Sequence, residues 1–122
     1  MTFDKDKLAA RRERFSRDEL PVRLGNVASN LARIAAFASR QEMAEAAIRV
    51  VWETKHFTEW AGLSATLPVQ AELVTLQRCL VNWQTDGLDI WSRVEKREQV
   101  RKMAEHWSRR VLELSGLLSV TT

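Results

Sequence analysis

Four successive stretches of this chain carry an apolar side chain at every third or fourth position, the spacing that gathers residues on one face of an α-helix. The best defined runs from Ser39 to Gly62, where Met43, Ala47, Val50, Thr54, Phe57 and Ala61 share a face. Ser39 and Glu42 stand at S-x-x-E spacing, which predicts a capping box at its start. Gly62 predicts a left-handed stop, because glycine has no Cβ to clash there. On the opposite side Glu45, Arg49 and Glu53 follow one another at i,i+4, the pattern of a solvated charge ladder.

The other three stretches repeat the pattern. Leu24, Val27, Leu31, Ile34 and Ala38 form one stripe. Gly25, Ala28, Ala32 and Ala35 lie near it, small enough to admit a neighbouring helix, while Arg23, Asn26, Asn30 and Arg33 face away. This helix starts either at the S-x-x-E box of Ser16 and Glu19 or near Leu20, with Pro21 in its first turn. Its junction with the next helix at Ser39 predicts a tight turn, with a kinked continuous helix as the alternative. Pro68 opens a third stripe of Val69, Leu73, Leu76, Leu80 and Trp83. Thr85-Asp86-Gly87 is a turn signal, yet the stripe stays in phase to Ile90 and Val94. The break is therefore a turn or only a bend, and Ser92 with Glu95 offers another helix start. The last seam is Val100, Ala104, Trp107, Val111, Leu114 and Leu118, with Gly116 near its end and a fraying Ser119–Thr122 tail. Four helices with short links predict an all-α fold, an antiparallel four-helix bundle over residues 18–122. A short basic N-terminal arm or helix, residues 1–17, precedes it. Phe3, Leu8 and Phe15 are too few to fix that arm without a partner surface.

Composition excludes several classes. At 122 residues, 45% apolar and 29% charged, the chain has the balance of a soluble globular domain. No run of about 18 apolar residues occurs, so no membrane span is expected. The first residues lack the apolar centre of a secretory signal, and Asp4, Asp6 and Glu13 argue against a transit peptide. The lone Cys79 excludes an internal disulfide; it reads as a small buried hydrophobe beside Leu76 and Leu80. A cytoplasmic location is the expectation. The net charge of +3 arises entirely in residues 1–17, where Lys5, Lys7, Arg11, Arg12, Arg14 and Arg17 outnumber the three acids. The balanced remainder speaks against a broad nucleic-acid surface.

One feature exceeds the needs of a monomer core. Ile48, Val51 and Trp52 stand well round from the Met43/Val50/Phe57 face, and a helix apolar on two stripes is deeply buried or serves a second partner. The expected role is protein–protein association without catalysis or cofactor. The partner would be a second copy, in a homodimer formed through Ile48 and Trp52 with Trp60 or Trp91, or another protein.

Reactive groups are few. Glu53 and His56 form an E-x-x-H, the spacing that carboxylate-bridged di-iron bundles use twice. Here the second copy is missing, and residues 20–39 hold no acid. A single metal would need Glu53, His56 and His106 to converge, whereas a surface Glu–His pair is the ordinary reading. Glu42/Glu45 and Glu95/Glu98 are E-x-x-E pairs, each short of the two facing pairs that a magnesium-dependent bundle needs. Arg93, Lys96, Arg97, Arg101 and Lys102, near Trp91 and Trp107, pair bases with rings that stack on unpaired nucleotides. With Arg11 and Arg12 of the arm they make nucleic acid a candidate partner. Glu95, Glu98 and Glu105 interleave them, however, as on a salt-bridged solvent face.

The segment Arg101-Lys-Met-Ala-Glu-His106 is an R-x4-H and resembles the short signature of HEPN domains, helical bundles that often act as ribonucleases. The resemblance covers these six residues and the fold class. Lys102 stands where that family usually has Asn, Asp or His. It implies His106 as base or acid toward a ribose 2′-OH and Arg101 as the group steadying the phosphate, with two motifs meeting across a dimer. A metal-independent ribonuclease or RNA-binding helical domain is thus the alternative.

Overall fold

A helix with more than one apolar face must be covered on more than one side, and the helix Ala44–Gly62 is covered on several. The structure is a computed structural model that describes residues 5–116, all of them helix, turn or connecting segment. In chain order the α-helices are α1 (Lys5–Ser16), α2 (Leu20–Phe37), α3 (Ala44–Gly62), α4 (Leu67–Thr85), α5 (Gly87–Trp91) and α6 (Val94–Ser115), with one 3₁₀ turn at Gln41–Met43 between α2 and α3. The most extensive pairings are α2 with α6, α2 with α3, and α3 with α4. Because α1 and α5 also pack on α3, its second stripe is absorbed inside the molecule: Val51 and Thr58 are as buried as Ala47, Thr54 and Ala61.

Small residues set the closest pairing. Ala28 and Ala35 on α2 and Ala104 on α6 are buried, and the helices approach near enough for the Ser108 hydroxyl to donate to the Ala28 carbonyl at 2.8 Å. Larger side chains fill the space toward α4. Leu73, Leu76, Leu80 and Trp83 of α4 and Trp107 of α6 all lie in the core, and Arg110 closes the outside by donating from Nε and Nη2 to the two oxygens of Glu72, each at 2.6 Å.

The α2 stripe of Leu24, Val27, Leu31, Ile34 and Ala38 is buried throughout. Val100, Ala104, Trp107 and Val111 of α6 are buried too, but Ser115 replaces Leu114 at the end of that seam; Leu118 and Phe3 lie outside the described residues. Asn30 does not face away as expected: it is 6% exposed.

The helix ends differ from the S-x-x-E reading. α2 begins at Leu20 on Glu19 with Pro21 in its first turn, and no side-chain cap. The Ser39 hydroxyl donates back to Ala36 at 2.8 Å, ending α2 rather than starting α3, and Ser92 does the same to Asp89 at 2.7 Å. α3 starts instead from the 3₁₀ turn. Gly62 stays helical; its carbonyl accepts from Gln70 Nε2 at 2.8 Å, and the one left-handed residue among those described is Gly116, at φ 78°, capping α6.

Candidate association surface

The core takes up two of the four tryptophan and isoleucine side chains that the sequence offered for an interface. Trp91 is 1% exposed, its indole N–H pointing at the Phe37 carbonyl at 3.4 Å. Trp60 is 6% exposed and packs beside Phe15 of α1, with ring centroids 5.8 Å apart. Neither side chain is available to a partner. Ile48 is half-buried because α5 crosses it: a Cβ built on Gly87 would lie 2.8 Å from Ile48 Cγ1. Trp52 is half-buried on the α3 edge, its ring 4.1 Å from that of His56.

The E-x-x-H pair is divided between two jobs. Glu53 accepts from Arg11 Nη1 at 3.0 Å and from Asn30 Nδ2 at 3.1 Å, tying α1 and α2 to α3. It is therefore a half-buried junction and not a rung of a solvated ladder. His56 stands between the rings of Trp52 and Trp60. Burial, then Lys55, lowers its pKa, with Glu59 acting in the opposite direction. No group of three metal-ligating side chains occurs among the described residues.

On α6, Arg101 donates to Glu98 from Nε at 2.9 Å and from Nη2, and to Glu105 from Nη1 at 2.9 Å. All three nitrogens are thus engaged in a surface ion-pair ladder. His106 is exposed one position along, its ring edge-on to Trp107 at 5.6 Å. Arg101 borders an open depression of about 640 Å³ between α2 and α6, together with Ala32, Ala36, Ser108, Arg109 and Leu112; His106 is not part of it. Of the bases proposed for nucleic acid, Arg11 is held by Glu53, and Arg97 donates to the Trp91 carbonyl at 2.6 Å. Arg12 is exposed on α1.

Cys79 is half-buried against Trp107. Burial pushes the thiol above its ordinary value, and the indole N–H has a smaller opposing effect. That indole N–H is buried without an oxygen or nitrogen acceptor.

Exposed apolar side chains stand elsewhere: Val22 on α2, Val94 and Met103 on α6, and four on the outer face of α4 and α5. Leu67 is 79% exposed, Val74 54%, Val81 44% and Leu88 72%, with Leu63 beside them in the loop before α4. Their spacing of seven residues is a helical stripe opposite the core stripe. Sequence reasoning missed it because Ala71, Arg78 and Thr85 interleave it, and because Val69–Trp83 already accounted for the face the core needs. The signal was present in the sequence as a second set of apolar positions one residue out of register.

The chain matches no family model, no curated protein and no solved structure. No helix among the described residues is long and apolar enough to cross a membrane.

Proposed function

We propose that this protein is a non-catalytic association module that pairs with itself as a homodimer, built on α2, α3, α4 and α6 as an antiparallel four-helix frame. The observation that carries this reading is the exposed stripe Leu67, Val74, Val81 and Leu88. Scattered apolar residues are normal on a surface, but four at seven-residue intervals fall on one helical face, with polar side chains between them. Covering such a seam removes apolar area at about 25 cal/mol per Å².

Two features favour association over chemistry. The strongest ionic groups, Arg101 with Glu98 and Glu105 and Arg110 with Glu72, are saturated by one another. The two imidazoles lie on different helices, His56 between two tryptophan rings that are tilted to it and His106 in solvent. Sedimentation of the purified chain from low to high micromolar concentration tests the reading. A mass that rises toward that of two chains is expected; a single-chain mass throughout would overturn it.

A further inference from the structure

We infer that the strip between α1 and α2 holds the phosphate backbone of a single-stranded nucleic acid. The inference stands apart from the self-association reading and uses a different face of the molecule.

Geometry comes first. Arg11 of α1 meets Glu53, and Phe15 meets Phe57 one turn further along both helices, so α1 and α3 run parallel and in register. Residues 17–19 turn the chain back into α2, whose Asn30 reaches the same Glu53 carboxylate. Arg11 and Asn30 therefore stand level on two antiparallel helices. On α1 Lys7, Arg11 and Arg14 recur at i, i+4 and i+7, and on α2 Asn26, Asn30 and Arg33 repeat that stripe. Leu8 and Phe15 lie on the other side of Arg11, packed against the core. The two polar stripes thus border one strip, with Lys7 within a residue of the level of Arg33.

Charge then selects the ligand. Lys7, Arg14 and Arg33 are exposed, and none has an ion-pair partner among the described residues. The α2 wall holds no acid at all, and Glu53 on the floor is already matched by Arg11 and Asn30. Such an arrangement attracts a chain of negative charges. Asp6 and Glu13 stand on the outward face of α1, and Asp18 and Glu19 in the link that closes one end of the strip. A flat anionic membrane, or a duplex taking α1 into its groove, would meet Asp6 and Glu13 first. A single strand laid between the helices meets cations and the amide of Asn26 instead. Lys7 and Arg14 lie about 10 Å apart along α1, room for more than one phosphate of an extended strand. Contacts of this kind hold the backbone and read no bases, so binding is independent of sequence.

Fluorescence anisotropy of a labelled oligouridine tests the strip. With Lys7, Arg14 and Arg33 each neutralising one phosphate, affinity should fall about twentyfold between about 50 and 200 mM salt. Lys7→Glu with Arg33→Glu should weaken binding about tenfold or more, and the milder Lys7→Gln with Arg33→Gln about threefold or more, both with an unchanged helical spectrum because the two positions are exposed. Lys102→Glu with Arg109→Glu removes the same charge from exposed sites on α6 and should leave affinity within about twofold. Vesicles of one part phosphatidylserine to three of phosphatidylcholine should leave the protein in the supernatant. Absence of RNA binding at the lower salt overturns the inference, as does an equal loss in the α6 pair, which would reduce the effect to net charge. Protein that pellets with the vesicles and ignores the RNA would assign the strip to a membrane and overturn it too. None of these outcomes bears on the sedimentation test of self-association.

Discussion

Glu53 holds three helices with one carboxylate, accepting from Arg11 on α1 and Asn30 on α2 while standing on α3. Asn30 is buried, so its amide needs that acceptor; an unmatched buried polar group costs about 1–3 kcal/mol. Next to this junction, Phe15 stacks on Phe57 with centroids 4.3 Å apart and is 5% exposed. Phe15→Ala should cost about 3 kcal/mol and release α1, seen as faster tryptic cleavage at Arg12 and Arg14 without loss of the remaining helix. His56 gives a pH dependence of determinate sign. Its folded pKa lies below the ordinary 6.5 because burial and Lys55 disfavour the charged ring. The unfolded chain therefore takes up the proton first on acidification. The contribution is complete above pH 6.5 and is lost as the pH falls through the folded value. Denaturant midpoints measured from pH 7.5 to 5 should fall, and His56→Gln should flatten that slope. Glu72, Asp89 and Glu98, held down chiefly by hydrogen bonds from Arg110, Lys96 and Arg101 respectively, act in a more acidic range.

Elements meet where side chains are small or absent. Gly87 sits at the start of α5 with a backbone that any residue could adopt, so its value is the contact with Ile48 and not conformational freedom. Gly87→Ala gains up to about 1 kcal/mol in helix propensity but forces a Cβ to 2.8 Å and 2.9 Å from Ile48 Cγ1 and Cδ1, and overpacking of that kind costs about 1–3 kcal/mol. The net effect should be destabilising by about 1 kcal/mol. The same change made on Ile48→Ala should be neutral or stabilising, because the obstructing atoms are gone. Thermal melts of the four proteins check this cycle. The serines at helix ends show the same economy: Ser39, Ser92 and Ser115 each donate to the carbonyl three residues back, tightening the turn in which they stand.

At the scale of the molecule, α1, α2, α4 and α5 pack on α3 while α6 packs on α2, and exposed apolar side chains stand on α2, α4, α5 and α6. The R-x4-H segment makes a contrasting demand, since a ribonuclease would need Arg101 free to meet a phosphate and His106 within reach of the same nucleotide. Arg101 is engaged by two glutamates, and His106 lies outside the α2–α6 depression that Arg101 borders. Single-stranded RNA incubated with the protein without metal should therefore remain intact, with wild type and His106→Ala indistinguishable on a denaturing gel. Cleavage that disappears in His106→Ala would reverse the assignment of function.

Periodicity alone determined that the chain is helical and which residues of α2, α4 and α6 line the core, because burial on a helix obeys a 3.6-residue repeat that a linear sequence displays. It also contained the α4 seam, as a second repeat one residue out of phase with the first. Tertiary structure decided which neighbours claim each polar or aromatic group. Glu53 became a junction because α1 and α2 bring Arg11 and Asn30 to it, and Trp60 and Trp91 became core because α1 and the end of α2 lie over them. The S-x-x-E boxes could not be read correctly in advance, since a serine bonds backward or forward according to which helix reaches it, and local spacing is the same in both cases.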